Sequence, residues 1–149
     1  MTMRRFHGDM DFLRSAERRA RLEVDRVVAE SLAGAVLSSV LDVGTGTGVF
    51  AEAFAAKGME AAGIDISREM IKKARLHETD DPRGTLKEAR RVARKRVTVL
   101  EWPCLEEEHG PTLAHRLEPD AARALAREAG FSRADRKTLS HMELYILEP

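Results

Sequence analysis

The residues best suited to chemistry lie in Val40-Leu-Asp-Val-Gly-Thr-Gly-Thr-Gly-Val-Phe50, where Gly44, Gly46 and Gly48 alternate directly after an apolar run. Glycine admits positive φ and lets a ligand approach the backbone with no Cβ in the way. A helix opening near Gly48 would also turn N–H groups towards the same bay. A tight strand-to-helix turn needs one or two such positions, so three at this spacing predict a ligand. The pattern is GxGxG followed by Val49, which differs from the GxGxxG of dinucleotide-binding turns. No Gly-Lys followed by Ser or Thr completes a phosphate loop. Asp65 stands 21 positions beyond Gly44, at the expected end of the next strand, and suits the two hydroxyls of a ribose. Its plainer role would be a helix cap, for which Ser67 is better placed. The two features together predict a nucleoside-like ligand with no need for a pyrophosphate. Asp42 either braces the glycine turn through backbone N–H groups or meets a cationic part of the ligand.

Other reactive side chains are scattered. His77, His109, His115 and His141 can titrate near neutrality. Phe6 and Trp102 could line a pocket, although core or lid packing is the commoner use of such rings. No Ser/His/Asp or Cys/His arrangement is evident. Cys104 is the sole cysteine, which excludes an internal disulfide and any multi-cysteine metal site, and no metal is expected. Lys plus Arg and Asp plus Glu both total 25, so net charge gives no reason to expect nucleic acid or an anionic membrane. From Arg68 to Arg96 there are eleven basic residues against five acidic, without the aromatic interleaving of a base-stacking platform. Lys72, Lys73, Arg90, Arg91, Arg94 and Lys95 are expected to face water from helices. No apolar run approaches a membrane span, and the start, MTMRRFHGDMDF, lacks the apolar segment of a secretory signal. A cytoplasmic location is the expectation.

The elements that must position these residues follow from periodicity. Helical spacing runs from about Ser15 to Ser38, and a strand covers Ser39 to Val43. A helix ended by Gly58, a strand ending at Asp65 and a helix capped by Ser67 come next. Thr79, Asp80 or Asp81 caps a helix beginning near Pro82. RVTVLEW is a strand, CLEEEHGPTLAHRL an exposed connection with a short helical piece, and EPDAARALAREAGF a helix. Strands near FSRADRK and HMELYILE complete the pattern. Strands alternating with helices predict a doubly wound α/β sheet in one domain over residues 1–149, with 1–38 as a helical or lid segment. Between Asp65 and Arg96, however, two helical patterns have no strand between them.

VLDVGTGTGVFAEAFAAKG followed by AAGIDISREMIKKAR resembles the first two motifs of class I S-adenosylmethionine-dependent methyltransferases, especially the small-molecule type of ubiquinone and menaquinone biosynthesis. LHETDDPRGTLKEARRVARKRVTVLEWP and PDAARALAREAGF resemble later segments of that family. The resemblance implies a Rossmann-like methyltransferase sheet with a C-terminal antiparallel hairpin, and S-adenosylmethionine as cofactor with S-adenosylhomocysteine as product. It implies that Gly44, Thr45 and Gly46 receive the methionine moiety and that Gly48 opens the helix. It further implies that Asp65 holds the ribose, that Ile66 packs on adenine with Met70 nearby, and that Asp42 orients the loop or meets the amino group. His77 falls in a turn that borders the family's active site, and His115 with Arg116 in a substrate-side segment, which makes both histidines candidates for acceptor chemistry. Strands three and four of the family are missing from the sequence near Leu76-His77. Two further strands are therefore expected in space at that point, or a void in their place. The expected activity is methyl transfer to a small-molecule acceptor by a monomer or homodimer. A non-catalytic nucleoside- or S-adenosylmethionine-binding module is the alternative, and a nicotinamide oxidoreductase a third option.

Overall fold

In the computed structural model, which describes residues 14–64, 81–108 and 110–149, the long N-terminal helix expected from periodicity is two shorter ones. Ser15 caps α1 (Ala16–Arg21), its hydroxyl accepting from the Arg18 amide at 3.2 Å. α2 (Val24–Leu32) follows, and between the two Glu23 takes a left-handed backbone with φ of 46°. That conformation is uncommon outside glycine. The Glu23 carboxylate supplies the reason for the break: it accepts from the Ser140 amide at 2.5 Å and from Arg26 at 3.2 Å. A contact with a distant turn thus overrides helical continuity. The helix ends at Leu32, short of the expected Ser38, and Ala33 is extended.

β1 (Ser39–Val43) and β2 (Glu60–Ile64) pair in parallel, Ser39 opposite Glu60 and Val43 opposite Ile64. The crossover between them is α3 (Val49–Ala55), which buries Val49, Ala53 and Phe54. Asp81 caps α4 (Pro82–Val92) by accepting from the Gly84 amide at 2.8 Å, as its sequence predicts. β3 (Val97–Glu101) leads into a connection holding one short 3-10 turn, Leu113–His115. α5 (Pro119–Glu128), β4 (Arg133–Thr138) and β5 (Glu143–Glu148) then form the expected helix and hairpin. β5 lies between β3 and β4, antiparallel to both.

Strand alternation at β5 builds two cores back to back. Leu144 and Ile146 join Val24, Val27 and Val28 of α2 and Val49, Ala53 and Phe54 of α3. Tyr145 and Leu147 join Leu86 of α4, Ala122 and Ala126 of α5, and Phe131. Arg96 sets where β3 starts: it donates to the Ser31 and Ala33 carbonyls at 2.8 and 2.9 Å and to Glu148 at 2.8 Å. The start of β3 therefore sits beside the end of α2, the helix that leads into β1. Arg90, Arg91, Arg94 and Lys95 are exposed, as expected of a solvated face.

The β1–β2 pair and the β3–β5–β4 sheet remain separate, and no ladder joins β1 to β3 among the described residues. Leu41, Val43 and Ile64 stay 47%, 55% and 42% exposed, where strands of a two-sided α/β sheet are normally buried. The junction at Leu76-His77, the Ser67 cap, the Thr79 and Asp80 candidate caps, Lys72, Lys73, Phe6 and His109 lie outside the described residues.

Candidate functional site

The glycine turn hangs from the carboxyl end of β1, and its three glycines all adopt positive φ: 76° at Gly44, 54° at Gly46 and 83° at Gly48. Other residues would be strained at each position. The Gly44 and Thr45 amides both donate to the Ile64 carbonyl, at 2.9 and 3.2 Å, which fastens the turn to the end of β2. The Gly48 amide donates to the Thr45 carbonyl at 2.8 Å and closes the turn. Gly48 then opens α3 without any side-chain cap.

Asp42 braces this turn through a side chain. Its Oδ2 accepts from Thr45 Oγ1 at 2.8 Å, a side-chain contact beside the two roles expected of it, the backbone brace and the cationic part of a ligand. Gly63, opposite Asp42 in β2, makes room for that arrangement, since a Cβ there would lie 2.6 Å from Thr45 Oγ1. A Cβ at Gly46 or Gly48 would meet nothing within 4 Å, so the turn borders open space. Thr47 Oγ1 is buried with no hydrogen-bond partner among the described residues. Gly63 and Thr47 escaped sequence reasoning. A glycine inside a strand is the one signal that pointed to close backbone approach, and nothing local marked Thr47.

Asp65, Ile66, Met70 and His77 lie outside the described residues. Of the remaining candidates, the structure brings Asp42, Gly44, Thr45, Gly46 and Gly48 into one turn. His115 is elsewhere, exposed in the 3-10 turn with Nδ1 2.7 Å from Thr112 Oγ1. His141 is exposed in the β4–β5 turn. Cys104 donates to Glu118 at 3.0 Å, and that hydrogen bond to a carboxylate pushes its thiol pKa up, which disfavours the reactive thiolate. Trp102, the first residue after β3, packs against the core that contains Val49. Among the described residues no group of three or more His, Cys, Asp or Glu is placed to hold a metal.

A methyltransferase-domain family model matches residues 12–99, more than half of the chain. The chain belongs to the methyltransferase domain family. A ubiquinone biosynthesis O-methyltransferase of Alkalilimnicola ehrlichii is 39% identical over 74 residues, 50% of this chain and 27% of the relative. One from Thiobacillus denitrificans is 55% identical over 38 residues, 26% of this chain and 16% of the relative. The chain thus matches about a quarter or less of the length of these curated relatives. The solved structure of a SAM-dependent methyltransferase from Aquifex aeolicus superposes with a TM-score of 0.73 at 17% identity, over 93% of this chain and 95% of that one. At that identity the likeness establishes the fold, an α/β Rossmann-like methyltransferase architecture with an antiparallel C-terminal hairpin.

Proposed function

We propose that the glycine turn binds S-adenosylmethionine and that the chain transfers its methyl group to a small-molecule acceptor, releasing S-adenosylhomocysteine. The observation that carries this reading is the turn itself: three positive-φ glycines, braced by Asp42 through Thr45, bordering open space at the carboxyl end of β1. The residues present fit the cofactor. A ligand can approach the backbone at Gly48, where a Cβ would meet nothing within 4 Å, and the Thr47 hydroxyl, which has no partner among the described residues, offers a hydrogen bond once a ligand uncovers it. The Asp42 carboxylate can hold a cationic amino group while its Oδ2 keeps Thr45 in place. Asp65 would accept from the ribose hydroxyls and Ile66 would pack on adenine.

When bound, the sulfonium cofactor supplies an already activated methyl group. The chain's own task is then to bind, to align the acceptor in line with the methyl–sulfur bond and to exclude water. His77 and His115 are the candidates for moving an acceptor proton. The names of the curated relatives favour oxygen as the accepting atom. We expect a cytoplasmic monomer or homodimer working on a diffusible acceptor; no described helix is long and apolar enough to cross a membrane.

Calorimetry with S-adenosylhomocysteine is the test, and absence of binding at about 1 mM would rule the reading out. Asp65→Ala should weaken that binding by about 1.5–3 kcal/mol, the scale of hydrogen bonds to a charged group. Unchanged affinity in a folded variant would remove the ribose assignment. A second reading is a non-catalytic module that binds the same ligand, favoured by the exposed face of β1 and by the lack of a ladder between β1 and β3 among the described residues. S-adenosylhomocysteine binding with no methyl transfer to a broad panel of hydroxylated acceptors would select it.

A further inference from the structure

The connection between β3 and α5 is built around two side chains. Arg116 is buried, with its side chain 2% exposed, an unusual place for a residue normally left in water. Its Nη1 donates to the carbonyls of Pro103, at 2.9 Å, and Leu105, while Nε donates to that of Pro111 at 2.9 Å. The Glu107 carboxylate lies 3.8 Å away and balances the charge. The guanidinium also sits 5.7 Å from the centre of the Trp102 ring, within cation–π range. Gly110 closes in on the same ring: with φ of 92°, a Cβ there would come within 2.8 Å of two indole carbons. Trp102 therefore meets both Arg116 and the Gly110 backbone.

These contacts reach three separate points of one connection. A charged donor of that kind ties the Pro103, Leu105 and Pro111 carbonyls together, that of Pro103 accepting from the Leu105 amide at 2.8 Å as well. Arginine alone presents planar, divergent N–H groups able to do this; a lysine ammonium on a flexible stem would need to give up part of the set. The location matters as well. Ligands of open α/β sheets bind outside the carboxyl ends of strands, and this connection leaves the carboxyl end of β3 as the glycine turn leaves that of β1.

We infer that Arg116 is a positioning residue that holds residues 102–108 and 110–118 in one conformation before any ligand arrives, with Trp102 as its clamp, and so pre-sets the acceptor-side wall of the site. The inference rests on the methyl-transfer reading for the identity of that wall. The clamp itself does not depend on it. Pre-setting spares the protein the ordering cost that a lid meets each time it closes.

Trp102 is the sole tryptophan, so its fluorescence reports on the clamp alone. In the whole chain, Arg116→Ala and Gly110→Ala should each raise acrylamide quenching of Trp102 by about two-fold or more, and Arg116→Lys should rescue only part of that loss. Affinity for S-adenosylhomocysteine should stay within about two-fold of wild type in Arg116→Lys, because the cofactor rests on the glycine turn. In the wild type, adding S-adenosylhomocysteine should leave quenching unchanged. Unchanged quenching in the Arg116 variants would overturn the clamp, as would full rescue by lysine. Protection of Trp102 that develops in the wild type only with S-adenosylhomocysteine would show a closing lid and overturn pre-setting. Wild-type quenching keeps this decision open even if Arg116→Ala does not fold. Failure of the wild type to bind S-adenosylhomocysteine would remove the methyl-transfer reading and with it the wall, while the quenching series still decides the clamp.

Discussion

The two sheets of this molecule are supported very differently. In the β3–β5–β4 sheet the central strand is buried along nearly its whole length, with Leu144 at 0% exposure, and has a helical layer on each face. The β1–β2 pair has α3 on one face, whereas Leu41, Val43 and Ile64 remain open to solvent on the other. The glycine turn belongs to the second, thinly covered pair. The scaffold's stability and its ligand chemistry are thus placed in different halves, and substitutions should separate them.

Leu144→Ala should show the contrast most strongly. Truncating a buried leucine costs about 2–5 kcal/mol, whereas Leu41→Ala on the open face should cost under about 1 kcal/mol. Urea unfolding of both variants measures the difference, and equal losses would mean that the β1–β2 face is covered in solution.

Alkaline pH attacks the well-supported half next. Burial, then the nearby Glu143 carboxylate, push the Tyr145 hydroxyl up to about 12 from an ordinary 10. The folded-state value is raised, so its contribution is complete below pH 10 and is lost as pH rises towards 12. The loss is about 3 kcal/mol for a shift of this size. Tyr145 is the only tyrosine, so an absorbance titration reads it directly. A midpoint near 10 in the folded protein would show the strand to be more open than the structure has it.

Gly63→Ala probes the other half. The new methyl would press on Thr45, displacing it from Asp42, and should weaken S-adenosylhomocysteine binding by about 1–3 kcal/mol, the usual cost of overpacking. Unfolding midpoints should move less than binding does. The smallest effect belongs to Glu23. Partial burial raises its carboxyl, but the Ser140 amide and Arg26 outweigh that and leave the pKa below 4.5. Its stabilising contribution is present above that value and fades as pH falls through the lowered one. Glu23→Gln should therefore lower stability slightly at neutral pH and converge with the wild type in acid, which flattens the acid limb of a stability–pH profile.

Local signals served the sequence reading well, and distant ones were invisible to it. The glycine turn was legible because positive φ is a property of a single residue. The Asp81 cap, the hairpin and the α5 boundaries likewise follow from neighbours in the chain. The break at Glu23 was not legible, since Leu22, Val24, Val27 and Val28 keep a helical period across it, and the cause is Ser140, far along the chain. Arg116 was read as part of an exposed connection, yet it is buried. Pro103 and Pro111 carry no amide hydrogen, so their segments form no regular ladder, and nothing local in the sequence marks the carbonyls that Arg116 gathers. Among the described residues no ladder joins β1 to β3, and the interval in which the sequence lacks an apolar strand falls largely outside them.

The back-to-back use of β5 has a consequence for how the chain comes into being. A ribosome delivers residues in order, and neither core can close until residues 143–148 have emerged, because Leu144 and Ile146 complete one core and Tyr145 and Leu147 the other. Until then α2, α3, α4 and α5 trail their apolar faces in the crowded space outside the exit tunnel, the state in which nascent chains adhere to one another. A pause or truncation just before β5 would leave a product that holsters nothing and becomes a client for chaperones and proteases.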